Sequence, residues 1–134
     1  MKMFAMFVTF TVSSAALVAP TFAHHSFAAE YDVKSPVMMT GTVTKVEWLN
    51  PHARFYIDVK DNSGKVANWE FELGSPNSLM RKGWTRNSLK PGDVVTVDGY
   101  RAKDGSSLGN ARTINLADGR KVFAGSAENG APAN

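Results

Sequence analysis

The histidines are the residues of this sequence best suited to bind a metal ion. His24 and His25 stand side by side in FAHHSFAAE, and the third histidine, His52, lies in LNPHARF. Imidazole nitrogens suit Cu(II), which stands highest in the divalent affinity series and accepts tetragonal nitrogen sites. Two adjacent imidazoles alone make a flexible chelate, so the chemistry of this pair depends on the segment that precedes it.

The start of the chain has the pattern of a secretory signal peptide. Lys2 supplies a short positive region, residues 3–19 are apolar or small apart from Thr and Ser, and Pro20 interrupts the run. Thr21 and Ala23 then offer small side chains at positions −3 and −1 of a cleavage site. A membrane anchor is the alternative, but it needs about 20 apolar residues. We therefore predict cleavage after Ala23 and a periplasmic or secreted protein.

Cleavage at this point would make His24 the first residue and give it a free α-amine. That amine has a reference pKa near 8, so it can deprotonate and bind a metal ion at neutral pH. The amine and two imidazoles would form a copper-type site, which His52 could complete if a loop brings it near the N-terminus. Glu30 and Asp32 are oxygen donors close by in sequence. The predicted metal ligands are His24, His25 and His52, and copper is the only cofactor predicted.

A second interpretation of the histidines stays open. His24 and His25 are also what a frayed, polar terminus would contain, and metal binding there would be adventitious. His52 could cap the turn made by Asn50 and Pro51, or form a hydrogen bond with a carbonyl at the end of a barrel. Neither of these roles involves a ligand.

Catalytic motifs are missing from the sequence. It has no Cys, and it lacks the G-x-S-x-G, H-E-x-x-H, P-loop and G-x-G-x-x-G patterns. Glu70 and Glu72 share one face of a predicted strand, which indicates a solvated face rather than a catalytic pair. We therefore predict that the protein is not an enzyme, and that its fold has no disulfide to support it.

The charge balance indicates what kind of partner the protein has. Lys and Arg number 15 against 12 Asp and Glu, and the two signs are interleaved, which does not favour nucleic acid. A protein, peptide or glycan is the expected partner, and no membrane span remains after cleavage. Tyr56, Arg54 and Lys60 lie on the outward face of a predicted strand and are the candidate ligand-binding residues there.

The body of the chain is predicted to consist of short strands. Two segments, ARFYIDVKD and VANWEFELG, alternate apolar with polar residues, and the loop DNSGK between them makes a hairpin. Asn62 and Gly64 are expected to take positive φ in that loop. The inward residues are predicted to be Phe55, Ile57, Val59, Ala67, Trp69, Phe71 and Leu73. In the preceding strand, the spacing of Val43 and Val46 indicates a bulge near Thr44.

A short helix follows the hairpin. Ser75 is a good N-cap, Pro76 suits the first helical position, and Gly83 is a C-terminal stop. Two more strands then place four apolar residues inward: Val95, Val97, Ile114 and Leu116. The fold class is therefore all-β with one short helix, and the helix between the third and fourth strands favours a five-stranded OB-like Greek-key barrel. A small β-sandwich is the alternative.

The sequence resembles a family of small secreted bacterial proteins of unknown function. The resemblance rests on the HHSF start, the Asn-Pro-His segment, and the stretches SPNSLMRKGW and LKPGDVVTVDGY, and it covers nearly all of the chain after the signal peptide. It implies an exported, OB-like single domain and no particular activity. The expected organisation is a signal peptide at 1–23, an N-terminal arm at 24–36, a barrel at 37–124 and a disordered tail at 125–134.

These observations lead to two hypotheses about function. The first is an exported, soluble binding protein with a copper-type site on its mature N-terminus. The second is a periplasmic structural or interaction module that binds a protein, peptide or glycan on the barrel face.

Overall fold

The computed structural model describes residues 27–124. The predicted signal peptide, its cleavage site, the pair His24 and His25, and the predicted disordered tail all lie outside these residues. Within them the chain forms two short helices and six strands: α1 (Phe27–Glu30), β1 (Tyr31–Glu47), β2 (Arg54–Lys60), β3 (Val66–Glu72), α2 (Pro76–Arg81), β4 (Val94–Ala102), β5 (Leu108–Leu116) and β6 (Lys121–Phe123).

The strands form one ring-like sheet in the described part of the chain. Their order is β3-β2-β1-β4-β5-β6, and an additional parallel pairing of β3 with β5 closes the ring. The other neighbours are antiparallel, and β6 pairs with the last part of β5. The all-β class with short helices is confirmed, but the sheet has six strands and not the predicted five, because the short strand β6 adds to the edge of β5. The OB type stays a prediction, which the position of α2 between β3 and β4 supports.

The interior of the ring is apolar and follows the predicted alternation, except at Ala67, which is exposed where β3 leaves the hairpin loop. Phe55, Ile57 and Phe71 are fully buried there. Trp69 is half-buried at the margin of the same core, where the Arg101 guanidinium lies 5.3 Å from its ring centroid. The four inward residues predicted for the later strands, Val95, Val97, Ile114 and Leu116, are all buried. Alternation along each strand is therefore enough to identify most of this core.

Local signals in the sequence fix several turns and ends. The β1–β2 register shifts between Val43 and Lys45, which confirms the predicted bulge. Ser75 caps α2 by accepting a hydrogen bond from the Ser78 amide. In the hairpin loop Gly64 has φ +87°, but the prediction for Asn62 is wrong, since no non-glycine residue within 27–124 has positive φ. The Asp61 carboxylate accepts a hydrogen bond from the Ser63 amide in this loop, so the turn closes without a positive φ at Asn62.

Strand β1 begins earlier than the apolar pattern indicated. It starts at Tyr31, inside the segment assigned to the N-terminal arm, and pairs first with β4 and then with β2. A register shift separates the Tyr31–Ala102 pair from the Pro36–Tyr100 pair. The Asp32 carboxylate closes this irregular stretch by accepting hydrogen bonds from the Lys34 amide and the Ser35 hydroxyl, each at 2.9 Å.

A second apolar cluster lies outside the ring and is formed by the start of the described chain. We call this group the outer cluster: Phe27, Tyr31, Tyr100 and Ala102, with Leu108 packed against it. The Phe27 ring centroid lies 5.4 Å from that of Tyr31 and 5.9 Å from that of Tyr100. The Lys103 amide also donates to the Glu30 carbonyl at 2.9 Å. Residues 27–31 are thus held against the outer face of β4 and β5.

None of the helices within residues 27–124 has the length and apolar character needed to cross a membrane.

Candidate functional site

His52 lies at the end of the loop that joins β1 to β2, beside the end of β3. Backbone hydrogen bonds fix this position, since the Ala53 amide donates to Gly74 and the Leu73 amide donates to Ala53. The His52 Nδ1 atom lies 3.0 Å from the Leu73 carbonyl oxygen and 3.7 Å from Glu72 Oε1. Of the two non-metal roles considered for His52, the hydrogen bond to a carbonyl at the end of the barrel is the one found.

This contact determines which ring nitrogen carries the proton. A carbonyl oxygen only accepts hydrogen bonds, so Nδ1 of His52 must be the donor to Leu73. In the neutral ring Nε2 is then unprotonated and has a lone pair to offer. No hydrogen bond to Nε2 is found within the described residues, and the side chain is 23% exposed. His52 is therefore held in one orientation, on a side chain that is partly exposed.

Glu72 stands between His52 and the outer cluster. The prediction that it lies on a solvated face is wrong, because the residue is only 6% exposed. The Tyr31 hydroxyl donates to its Oε2 at 3.0 Å, and Arg54 Nη2 lies 3.8 Å from the same oxygen. Its other oxygen, Oε1, faces His52. A buried carboxylate needs such partners, since an unpaired charge is costly away from water.

The Tyr31 hydroxyl is suited to its role as donor. Burial of the side chain raises its pKa strongly, and the negative charge of Glu72 raises it further. The phenol therefore stays protonated and keeps its hydrogen for the carboxylate. The two residues are 41 positions apart in sequence and meet only because the first part of β1 lies across the outer face.

Arg54 and Tyr56, predicted to bind a ligand on the barrel face, have their polar groups engaged by neighbouring acids. Arg54 Nη1 lies 2.5 Å from Glu70 Oε1. The Tyr56 hydroxyl donates to Glu47 at 3.2 Å, and Glu47 also pairs with Lys45. The hydrogen bond from Lys45 lowers the pKa of Glu47, whereas burial and then the charge of Glu70 raise the pKa of Tyr56.

The third candidate on that face lies away from this arrangement. Lys60 is exposed at the last position of β2, beside the hairpin loop. Lys60 pairs with Val66 across the hairpin, six residues along β2 from the Arg54–Glu72 pair. The structure thus places Arg54, which forms an ion pair, and Tyr56, which forms a hydrogen bond, beside acidic residues near the start of β2. Lys60 lies at the other end of the strand.

The oxygen donors proposed near the N-terminus also have structural roles. The Asp32 carboxylate is used in the turn within β1, and hydrogen bonds from the Lys34 amide and then from the Ser35 hydroxyl lower its pKa. At Glu30 the observed contact is made by the backbone and not by the carboxylate, since its carbonyl accepts from the Lys103 amide. Across residues 27–124, no group of three or more His, Asp and Glu side chains is arranged to hold a metal ion.

Sequence reasoning found His52 but missed Tyr31 and Glu72. The one signal for the outer cluster in the sequence is the pair of aromatic residues Phe27 and Tyr31, which are four positions apart in FAAEY. The alternation along β3 does not indicate that Phe27 and Tyr31 cover Glu72. That contact joins residues 41 positions apart and depends on the tertiary packing of β1 on β3.

Comparison with known protein families gives a match over most of the chain. The model of a family described as "Family of unknown function (DUF6152)" matches residues 11–111. No curated protein matches the chain.

Proposed function

We propose that the chain, which belongs to this family of unknown function, is an exported, copper-type metal-binding protein. The support for this proposal comes from the chain's own residues. The mature N-terminus would supply the α-amine and imidazole of His24 and the imidazole of His25. The folded domain would supply His52. The observation that carries this proposal is the hydrogen bond from Nδ1 of His52 to the Leu73 carbonyl, which leaves Nε2 as a ligand.

The surroundings of His52 resemble the support that metal-binding histidines usually have. Such residues donate their second ring N–H to a carbonyl or a carboxylate, which fixes the tautomer and makes the ligand more basic. His52 has both kinds of acceptor beside Nδ1, namely the Leu73 carbonyl and the Glu72 carboxylate. A histidine that only stabilised the end of the barrel would not need the second acceptor or an accessible Nε2.

The packing of residues 27–31 against the sheet supports a role for the mature N-terminus in the proposed metal site. Contacts run from the Phe27 ring to Tyr31, from the Tyr31 hydroxyl to Glu72, and from Glu72 to His52. Three residues separate Phe27 from a terminus at His24, and they span at most about 10 Å. Such a short tether would keep the amine and two imidazoles within about 10 Å of Phe27, on the side of the molecule where contacts lead through Tyr31 and Glu72 to His52.

The first test is titration of Cu(II) into the protein that begins at His24, followed by calorimetry and electron paramagnetic resonance. The His52→Ala variant should bind at least about tenfold more weakly, since the loss of a mere supporting residue already costs about 10–100-fold. Leu49→Ala is the matched control, because Leu49 is 60% exposed in the same loop and has no ligand atom. It should bind like the parent protein.

A second arm of the test concerns the α-amine. A protein acetylated at the His24 amine should bind Cu(II) more weakly, because acetylation removes the amine from the chelate. Mass spectrometry of the exported protein should show a chain that starts at His24. Equal affinity of the parent and His52→Ala proteins would overturn the proposal and leave the interaction module as the better hypothesis.

A further inference from the structure

The positive charge of the protein is concentrated in one stretch of the chain. Residues 75–92 contain Arg81, Lys82, Arg86 and Lys90 and no Asp or Glu. The whole chain has 15 Lys and Arg against 12 Asp and Glu, so removing these four leaves 11 basic residues against 12 acidic ones. The excess of positive charge therefore comes entirely from α2 and the loop that follows it.

Buried side chains hold this loop in place. Trp84 is 4% exposed and Leu89 is 2% exposed, and both belong to the core inside the ring. The Gly92 amide donates to the Val43 carbonyl at 2.8 Å, which attaches the end of the loop to β1. The four basic residues between these anchors and the end of α2 are all exposed. The loop thus presents its cations to solvent from a fixed backbone.

Two of these cations have no acidic partner. An exposed cation elsewhere in the fold lies beside an acid, as Lys45 does beside Glu47. Within residues 27–124 no such ion pair involves Arg86 or Lys90. The first acid after the stretch, Asp93, accepts a hydrogen bond from the Lys90 amide at 2.9 Å. The positive field of this loop is therefore not cancelled locally and can attract an anionic partner.

Exposed apolar side chains accompany these cations. Met80 is 51% exposed and directly precedes the first two of them in sequence. Phe123 on β6 is 62% exposed, and Trp84 Nε1 donates to its carbonyl at 3.1 Å, so β6 lies beside the loop. The Lys121 ammonium lies 5.6 Å from the Phe123 ring centroid and adds another cation. We call this region the basic surface: residues 80–90 with Lys121 and Phe123.

This combination of charge and apolar groups fits the surface of an anionic lipid bilayer. Lys and Arg are attracted to anionic headgroups, while apolar side chains enter the boundary between the headgroups and the acyl chains. A soluble polyanion offers charge but no apolar layer for Met80. We infer that the basic surface docks the protein peripherally on membranes that contain anionic phospholipid. This role goes beyond the proposed function and does not depend on a metal ion.

The experiment measures co-sedimentation with vesicles of phosphatidylcholine, prepared with and without phosphatidylglycerol, in the absence of Cu(II). The protein begins at His24, so that the apolar residues 3–19 make no contribution. It should bind only the vesicles that contain phosphatidylglycerol. Binding should weaken steeply between about 0.1 M and about 1 M salt, because the Debye length falls from about 10 Å to about 3 Å.

Charge variants test the cations of the loop. Lys90→Gln should weaken binding about fivefold, the effect of one Lys near an anionic leaflet, and Arg86→Gln combined with it about 25-fold. Lys65→Gln is the matched control, because Lys65 is an exposed lysine in the hairpin loop between β2 and β3. The control makes the same change in net charge and should stay within about twofold of the parent.

An apolar variant separates a lipid surface from a soluble polyanion. Met80→Ser keeps every charge and should weaken vesicle binding about 3–10-fold, since an exposed apolar side chain no longer enters the bilayer. The same variant should bind dextran sulfate like the parent. Thermal unfolding of each variant shows that its fold is intact, as expected for substitutions at exposed positions.

Three results would overturn the inference. Equal losses for Lys90→Gln and Lys65→Gln would mean that only net charge matters and not the basic surface. Parent-like vesicle binding by Met80→Ser would favour a soluble polyanion or an acidic protein as the partner. No binding to vesicles with phosphatidylglycerol at about 0.1 M salt, where surface charges still act over about 10 Å, would exclude lipid docking. Because no Cu(II) is present, none of these results bears on the proposed metal site.

Discussion

The interior of the ring and the outer cluster both bury aromatic side chains, but they are built in different ways. In the interior, Phe55 and Phe71 come from adjacent strands of one hairpin and stack with centroids 5.5 Å apart. In the outer cluster, Phe27 and Tyr31 pack on Tyr100 from a segment about 70 residues away in sequence. The first arrangement is local and continuous, whereas the second is a small patch held by one short segment.

The comparison of the two regions explains why a charged side chain can be buried in this fold. The interior excludes charge, and its strands place their charged residues on the other face. The outer cluster covers part of that other face, so Glu72 is buried although it alternates correctly with Phe71. The Glu72 carboxylate is buried and oriented because the outer cluster covers it and the Tyr31 hydroxyl donates a hydrogen bond to it. The two regions should therefore respond differently to mutation and to pH.

The largest expected effect is the loss of an interior aromatic. Phe71 is fully buried between Phe55 and Trp69, and its ring lies so close to Gly109 that a Cβ there would be 2.6 Å away. Phe71→Ala should lower the free energy of unfolding by about 3–5 kcal/mol. Urea denaturation followed by tryptophan fluorescence measures this change.

The control for Phe71 is its neighbour on the opposite face. Glu70→Ala removes a half-exposed ion pair with Arg54 and should cost under about 1 kcal/mol. Similar losses for the two variants would show that the assignment of the two strand faces is incorrect.

A smaller effect is expected for the outer cluster. Phe27 is 5% exposed, but it belongs to the outer cluster and not to the core inside the ring, so we expect its segment to detach without opening the ring. The loss for Phe27→Ala is therefore limited to the free energy with which residues 27–31 dock, about 1–3 kcal/mol. Hydrogen exchange should show the loss at the Lys103 amide and leave strand β4 protected near Val97. A global loss as large as that for Phe71→Ala would remove the distinction between the two regions.

The smallest effect is a pH response confined to the outer region. Hydrogen bonds from the Lys34 amide and the Ser35 hydroxyl lower the pKa of Asp32 in the folded protein. Its contribution is present above the unfolded-state pKa of about 3.9 and is lost as the pH falls through the folded-state value. Protection factors at Lys103, corrected for intrinsic exchange, should decrease between pH 6 and pH 3 while those near Val97 hold.

Two variants sharpen this pH measurement. Asp32→Asn should reduce the dependence on pH at Lys103, because the titrating group is gone. Asp118→Asn is the control, since the pKa of Asp118 is also lowered but its carboxylate accepts from the Arg120 amide in the turn between β5 and β6. An unchanged response in Asp32→Asn would show that another group controls docking.

Most of the ring could be predicted from sequence because its signals are local. Alternation along β2 and β3 identified Phe55, Ile57 and Phe71 as core residues, and the spacing of Val43 and Val46 gave the bulge. The cap at Ser75 depends on only three residues. Each of these features reflects the geometry of one strand, turn or helix end, so a single segment contains the whole signal.

The candidate site could be predicted only in part, for the opposite reason. His52 stood out because histidine is rare in this sequence and has a distinctive chemistry. Tyr31 and Glu72 did not, since an aromatic residue and a strand carboxylate are common. Their importance comes from a contact between residues 41 positions apart, which depends on where β1 begins and which face it crosses.

The length of β1 also sets an order of assembly. Its last part, Thr42–Glu47, pairs with the next strand along the chain, whereas its first part pairs with β4, which begins at Val94. When the N-terminal part of the chain folds first, the β1–β2–β3 hairpins can therefore form early. The ring closes only when β5 pairs with β3. Such non-local pairing places folding on the order of milliseconds to seconds. During that interval the apolar side of the hairpins and the free edge of β3 remain open to any chaperone that accompanies the growing chain.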